Sequence, residues 1–299
     1  MDNHSNLVKI YMLVCDAYEN ELKYCVQRFS NNNQPRFTDQ EVLTIMLYCT
    51  GYERRLTIRG VYNFTSDWLG SWFPLLPSYP AFVMRVNRLS EAFRRLLSIM
   101  LRDYSPDGKS ESFCMVDSMP VITCSAKRNG KVAREVTDKG YCSTKSLYYY
   151  GVKLHLFSVR VKGTLPHPEA LVVTPASESD LSVFRENWSS VDDKVVFADK
   201  AYIDRGMQQS MAQNNSEVLT PVKYTRGVPE CIKQRFKAAD DLLSRAVSSI
   251  RQPIESLFSW LLEKSDIQRA SKVRSTNGLF VHIFAKLTAV LCAKLVFNS

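Results

Sequence analysis

Apolar positions recur at helical spacing through the first hundred residues and gather into short strand-like runs after that. Leu7, Ile10, Tyr11, Leu13, Val14, Ala17, Leu22, Cys25 and Val26 predict one or two helices over residues 5–29. The polar stretch Asn31 to Pro35 predicts a break. Thr38-Asp-Gln-Glu41 has the form of a capping box before Val42, Leu43, Ile45, Met46 and Leu47, so another helix is expected to about Cys49. Residues 57–69 and 79–102 continue in helical style, interrupted by Pro74, Pro77 and Pro80. The second of these mixes Phe82, Val86, Leu89, Phe93, Leu96 and Leu97 with Arg85, Arg88, Arg94 and Arg95. It reads as one amphipathic helix whose basic face is either solvated or turned to DNA. Trp68, Trp72 and Phe73 are expected in the core.

The pattern changes at Ser105-Pro-Asp-Gly-Lys-Ser110, a run of turn-forming residues that reads as a linker. Apolar runs at 113–117, 148–161, 169–174, 195–199 and 217–222 predict strands. Helical spacing returns at about 179–188, 204–213, 235–264 and 276–297. The first three strands follow one another as a meander would, and the later ones alternate with helices. The chain therefore divides into an all-helical N-terminal domain, residues 1–105, and an α/β domain, residues 106–299.

Composition narrows the function more than the fold. The 299 residues are 45% hydrophobic and 23% charged, which is ordinary for one large or two smaller globular domains. A net charge of +9 suits a polyanionic partner. Most of that excess lies in residues 121–164, where Lys127, Arg128, Lys131, Arg134, Lys139, Lys145, Lys153, Arg160 and Lys162 face only Glu135 and Asp138. None of the eight cysteines forms a CxxC pair or a zinc spacing. Several sit in apolar runs, so a reducing compartment is expected and no disulfide framework. Neither a signal peptide nor an apolar run approaching about 20 residues is read, so no membrane partner is expected.

The candidate chemistry begins at Val195-Val-Phe-Ala-Asp199, a short apolar strand with a carboxylate at its exit. A charged Asp within such a strand needs a partner, whereas one at its exit can face a cleft. Phe113-Cys-Met-Val-Asp117 repeats the pattern, and Glu255 lies on a helix among apolar neighbours that predict at least partial burial. Each acid has an ordinary reading: Asp117 in a turn, Asp199 paired with Lys200 or capping a helix, Glu255 on a helix surface. Together they offer hard oxygen ligands of the kind Mg²⁺ prefers. Two such ions serve phosphoryl transfer, and bound metal relieves the repulsion among the acids. Lys153 and His155 share a strand face, either beside a phosphate or, for His155, buried and satisfied by a carbonyl. Lys200 can reach a DNA backbone next to Asp199. Arg251 stands one helical turn before Glu255, to clasp a phosphate or pair with that acid. Tyr148, Tyr149 and Tyr150 can stack on unpaired bases or pack in the core.

Asp117 in Val-Asp-Ser-Met-Pro, Asp199 in Ala-Asp-Lys-Ala-Tyr and Glu255 in Arg-Gln-Pro-Ile-Glu-Ser resemble the DDE triad of insertion-sequence transposases. The resemblance is closest to the IS982 family within the IS4-like group. Tyr150-Gly-Val-Lys-Leu-His155 is similar to that family's G-x-K-x-H strand, and Leu171-Val-Val-Thr-Pro-Ala176 with Asp180 to its third strand and following helix start. Arg251 matches an IS4-type signature around the glutamate, but Ser248 and Leu262 stand where a Tyr and a Lys belong. The resemblance implies a ribonuclease-H-like mixed sheet flanked by helices. It implies Asp117, Asp199 and Glu255 as catalytic ligands of two Mg²⁺ ions, with Mn²⁺ as a substitute, and Lys153, His155, Lys200 and Arg251 as DNA contacts. The expected activity is strand cleavage and strand transfer at terminal inverted repeats, by a homodimer on DNA ends in a prokaryotic cytoplasm, associated with the nucleoid. A catalytically silent DNA-binding descendant and a general metal-dependent nuclease are the alternatives.

Overall fold

Thr38 caps its helix as the pattern predicts: its hydroxyl accepts from the Glu41 N–H, and the Glu41 carboxylate accepts from the Thr38 N–H. The computed structural model describes residues 3–29, 35–105, 112–127, 129–143, 145–224 and 227–297. The predicted break at 31–35 and linker at 105–110 lie largely outside these residues, as does Arg128. In chain order come α1 (Asn3–Ala17), a π-helical turn (Tyr18–Leu22), α2 (Lys23–Cys25), α3 (Asp39–Gly51), α4 (Ile58–Trp68), α5 (Tyr79–Arg88) and α6 (Ser90–Asp103). Then follow β1 (Phe113–Ser125), β2 (Asp138–Cys142), β3 (Leu147–Val159), β4 (His167–Pro175), α7 (Asp180–Trp188), β5 (Val195–Phe197), a 3₁₀ turn (Lys200–Tyr202), α8 (Arg205–Gln213) and β6 (Glu217–Leu219). Two long helices, α9 (Glu230–Ser265) and α10 (Thr276–Leu295), finish the chain.

Two compact units result. The first holds residues 1–104, 131–135 and 261–299, and the second holds residues 105–130 and 136–260. The first division falls where the composition changes. The two descriptions differ at residues 131–135 and 261–299, which belong with the helical unit rather than with the α/β domain.

In the helical unit, α10 is the core helix. Leu279, Val281, Ile283, Phe284, Leu287, Val290 and Leu291 are all buried on it. Contrary to expectation, this helix is long and apolar enough to cross a membrane, but 72% of its apolar window is buried inside the protein. The basic helix of 79–102 is two helices that meet at the buried Leu89. Its arginines hold this unit together. Arg85 donates to Asp39 at 2.8 Å and to the Phe37 carbonyl, and Arg88 donates to the Val26 carbonyl at 2.9 Å. Arg94 and Arg95 pair with Glu91 and Glu21. Arg85 and Arg88 are thus committed inward, whereas Arg94 and Arg95 keep 57% and 48% of their side chains exposed. Phe73 is core, but Trp68 and Trp72 are exposed, because α4 turns only Val61 and Thr65 fully inward.

The α/β unit is a six-stranded mixed sheet flanked by helices, as expected. β1 and β3 run antiparallel, β5 runs parallel to β1, and β6 runs parallel to β5. On the far side of β3, β2 pairs with Leu147–Gly151 and β4 with Val152–Val159. Cys114, Val116, Phe157, Val159, Val196 and Ala198 pack with Phe184 and Trp188 of α7 and Met207 and Met211 of α8. At Gly151 β3 lies close against β1: an added Cβ would lie 2.0 Å from the Val121 carbonyl oxygen.

Candidate active site

Asp117 is not at a strand end. β1 runs on to Ser125, with Asp117 paired opposite Leu156 of β3. Its other neighbour ends early: β5 stops at Phe197, opposite Met115. Beyond that point β1 has no partner on this side among the described residues, and Asp117 sits where the parallel strand gives out. Asp199 lies two residues past the end of β5 and turns the chain. Its Oδ1 accepts from the Ala201 N–H at 2.7 Å and caps the 3₁₀ turn. Of its two ordinary readings, helix capping is the one realised.

Arg251 of α9 joins two of the three acids. Its Nη1 donates to Asp117 Oδ2 at 2.8 Å, and its Nη2 donates to Glu255 Oε1. Pairing with Glu255 was expected from the one-turn spacing; the bridge to Asp117 was not. Glu255 is more exposed than its apolar neighbours suggest, with 55% of its side chain accessible. Ile254, Leu257 and Phe258 take the buried face of the helix instead. Asp117 is half-buried, with 23% of its side chain exposed. Removal from water pushes its carboxyl up to about 6, against the lowering effect of the Ser118 N–H and of Arg251. The charges on Asp199 and Asp180 raise it further, so these two acids lie within electrostatic reach of Asp117.

A second polar group gathers at Asp180, the first residue of α7. Asp180 Oδ1 accepts from the Ser118 hydroxyl at 3.0 Å and from Lys153 Nζ at 3.1 Å, and lies 3.8 Å from His155 Nδ1. Lys153 also donates to the Glu178 carbonyl at 2.7 Å. Lys153 and His155 share a face as the alternation predicts, and Ser118 pairs opposite His155. His155 has no exposure, so the expected phosphate contact does not hold for it. It is a buried histidine, satisfied at Nε2 by the Thr174 hydroxyl at 2.9 Å rather than by a carbonyl. Burial drops its pKa to about 4, so it is neutral at neutral pH.

Asp180 is the site residue the pattern singled out least. It stood in a motif without a role, and its only local signal was a helix start after Ser179. Tyr202 is another. Its ring is core, its hydroxyl is buried without a hydrogen-bond partner, and burial raises its pKa well above normal, with Asp180, Asp117 and Asp199 adding to the rise. Lys200 is exposed beside Asp199. Of the three tyrosines, Tyr149 is core, Tyr150 is half-buried with its hydroxyl on Asn129, and Tyr148 is exposed. Tyr148 lies 4.9 Å from Tyr141 between ring centres and carries Lys139 over its face at 5.0 Å.

A family model for the transposase DDE domain matches residues 108–292. The chain belongs to the DDE transposase family. Comparison with curated proteins returns no match. Among solved structures, a pre-cleavage Mos1 transpososome is similar at 12% identity over 89% of this chain and 81% of that one. The TM-score of 0.21 is too low for that likeness to carry weight. DNA transposition and recombination are the activities of this family, and a divalent ion is its usual companion.

The acids of this transposase suit such an ion in chemistry: three carboxylates supply hard oxygens, and the guanidinium between two of them marks a position that calls for positive charge. Among the described residues, no group of three or more acids, histidines or cysteines is already drawn together as a ligand set. Arg251 occupies the space between Asp117 and Glu255, so an ion shared by those two acids would require it to release at least one of them. All eight cysteines are free thiols.

Proposed function

We propose that this protein is an IS982-type transposase that cleaves and rejoins DNA at insertion-sequence ends through Asp117, Asp199 and Glu255. One observation supports the reading: a single guanidinium bridges Asp117 and Glu255, and the charge of Asp199 reaches Asp117, so the three acids of the resemblance lie in one region. These acids would hold two Mg²⁺ ions, or Mn²⁺ in their place. When bound, such ions activate the attacking hydroxyl and stabilise the leaving oxygen of a phosphodiester.

The remaining roles belong to the chain's own residues. Arg251, once freed from an acid, has both faces of its fork available to a phosphate. Lys200 takes the DNA backbone next to Asp199. Lys153 adds its charge from behind, with Asp180 fixing its direction. The exposed Tyr148, backed by Tyr141 and Lys139, offers an aromatic face to an unpaired base. The helical unit binds terminal inverted repeats or pairs two copies on the DNA ends. The setting is a prokaryotic cytoplasm, at the nucleoid.

The test is strand cleavage on duplexes carrying the ends of the flanking element, with Mg²⁺ or Mn²⁺, comparing the parent with Asp117→Asn. Metal-dependent cuts at the element's 3′ ends are expected, reduced in the variant by more than about 100-fold, the upper end of what losing an outer partner of a metal site costs. End binding without cuts favours a silent DNA-binding descendant. Cuts scattered along any duplex, with no joining, favour a general nuclease.

A further inference from the structure

The first half of α9 is exposed along one side. Ile232, Phe236, Ala239, Leu243, Ala246 and Ile250 recur at alternating spacings of four and three, so they form one stripe along the helix. Ile232, Phe236 and Leu243 are 45%, 51% and 45% exposed. The neighbouring face is occupied: Ser244 Oγ accepts from the Val222 N–H at 3.0 Å, Tyr224 donates to Asp240, and Val247 is buried. The open stripe is thus a seam of heptad type, almost three heptads long, on a helix that packs from its other side.

The charges beside the seam are self-complementary. Arg235 flanks it on one side and Asp240 on the other, five residues apart. In a parallel pair of such helices, flanking positions with that spacing face each other across the seam. Arg235 of each copy then meets Asp240 of the other, twice by symmetry. Leu242, 71% exposed, adds apolar surface beside the seam. The small Ala239 and Ala246 allow the two axes to approach. We propose that α9 pairs with α9 of a second copy as a short parallel coiled coil, independently of DNA and of the chemistry assigned above.

Sedimentation velocity on the full chain without DNA is the test, with end binding followed separately. The expected mass is twice the 34.2 kDa of one chain. Phe236→Asp with Leu243→Asp should return the chain to monomer with its circular dichroism intact, because both positions are exposed. Arg235→Asp should weaken the dimer by about 3- to 10-fold, and adding Asp240→Arg should restore it. A monomeric parent, a double-Asp variant that still dimerises, or a charge swap that fails to restore pairing each overturns the proposal. So does a monomeric parent whose stripe variants lose end binding, which would assign the stripe to DNA.

Discussion

Ionised Asp117 is held away from water, and its carboxyl titrates at about 6 instead of near 3.8. The folded state therefore favours the proton. The stability associated with a protonated Asp117 is fully present below about pH 4 and is lost as the pH rises through about 6. Above pH 6 the fold carries a partly buried carboxylate that Arg251 only partly compensates. Asp117→Asn keeps the shape and removes that charge, while Arg251 keeps Glu255. The variant should unfold later than the parent at pH 7.5, by about 1–3 kcal/mol, and match it at pH 4. Thermal melts at the two pH values decide it; equal gains at both would mean that charge is not the cause. At this scale the acids were legible because a carboxylate beside an apolar run is conspicuous in one dimension. Arg251's second partner was not, because Asp117 is 134 residues away in sequence. Nor was the setting of His155, whose neighbours Thr174 and Asp180 come from a different strand and a helix.

Among elements, the ones read correctly were those with a period of their own. β3, β4, α7, α8 and α10 fell within a few residues of their predicted bounds, because each has an apolar face of its own to bury. β2 was missed. Asp-Lys-Gly-Tyr-Cys has little alternation, buries only Gly140, and becomes a strand by pairing with the start of β3. Local propensity carries no signal for a strand made by its partner. The same pairing logic explains Asp117: the apolar run ended there, but the hydrogen-bonded ladder with β3 continued. At Gly151 that ladder leaves no room for a side chain. A methyl group there would meet backbone at Val121 rather than a side chain that can rotate away. Gly151→Ala should force β1 and β3 apart and cost about 2–4 kcal/mol, read as a lower urea midpoint with an unchanged slope. It should also lower cleavage at fixed stability margin, since Asp117 lies on β1 just four residues from Val121.

For the whole molecule, the sequence divides once, at about residue 105, whereas the structure divides again at Leu261. No change of composition marks the second boundary, since α9 runs through it as one helix. The family match is equally continuous and takes in most of α10. The helical unit therefore depends on residues that the chain delivers last. Seven large apolar side chains of α10 lie buried in that unit, and each contributes about 1.5–3 kcal/mol. Their total, on the order of 10–20 kcal/mol, matches or exceeds the whole stability of an ordinary domain. A chain ended after Trp260 should lose its helical unit while keeping the mixed sheet, which is complete by β6. Hydrogen exchange reads this directly. In the full chain α3 and α6 should be protected along with β1 and β3. In the shortened chain protection should persist in β1 and β3 and vanish from α3 and α6. Persistent protection of α3 and α6 would mean that residues 1–104 form their own core, and that α10 covers a unit already stable without it.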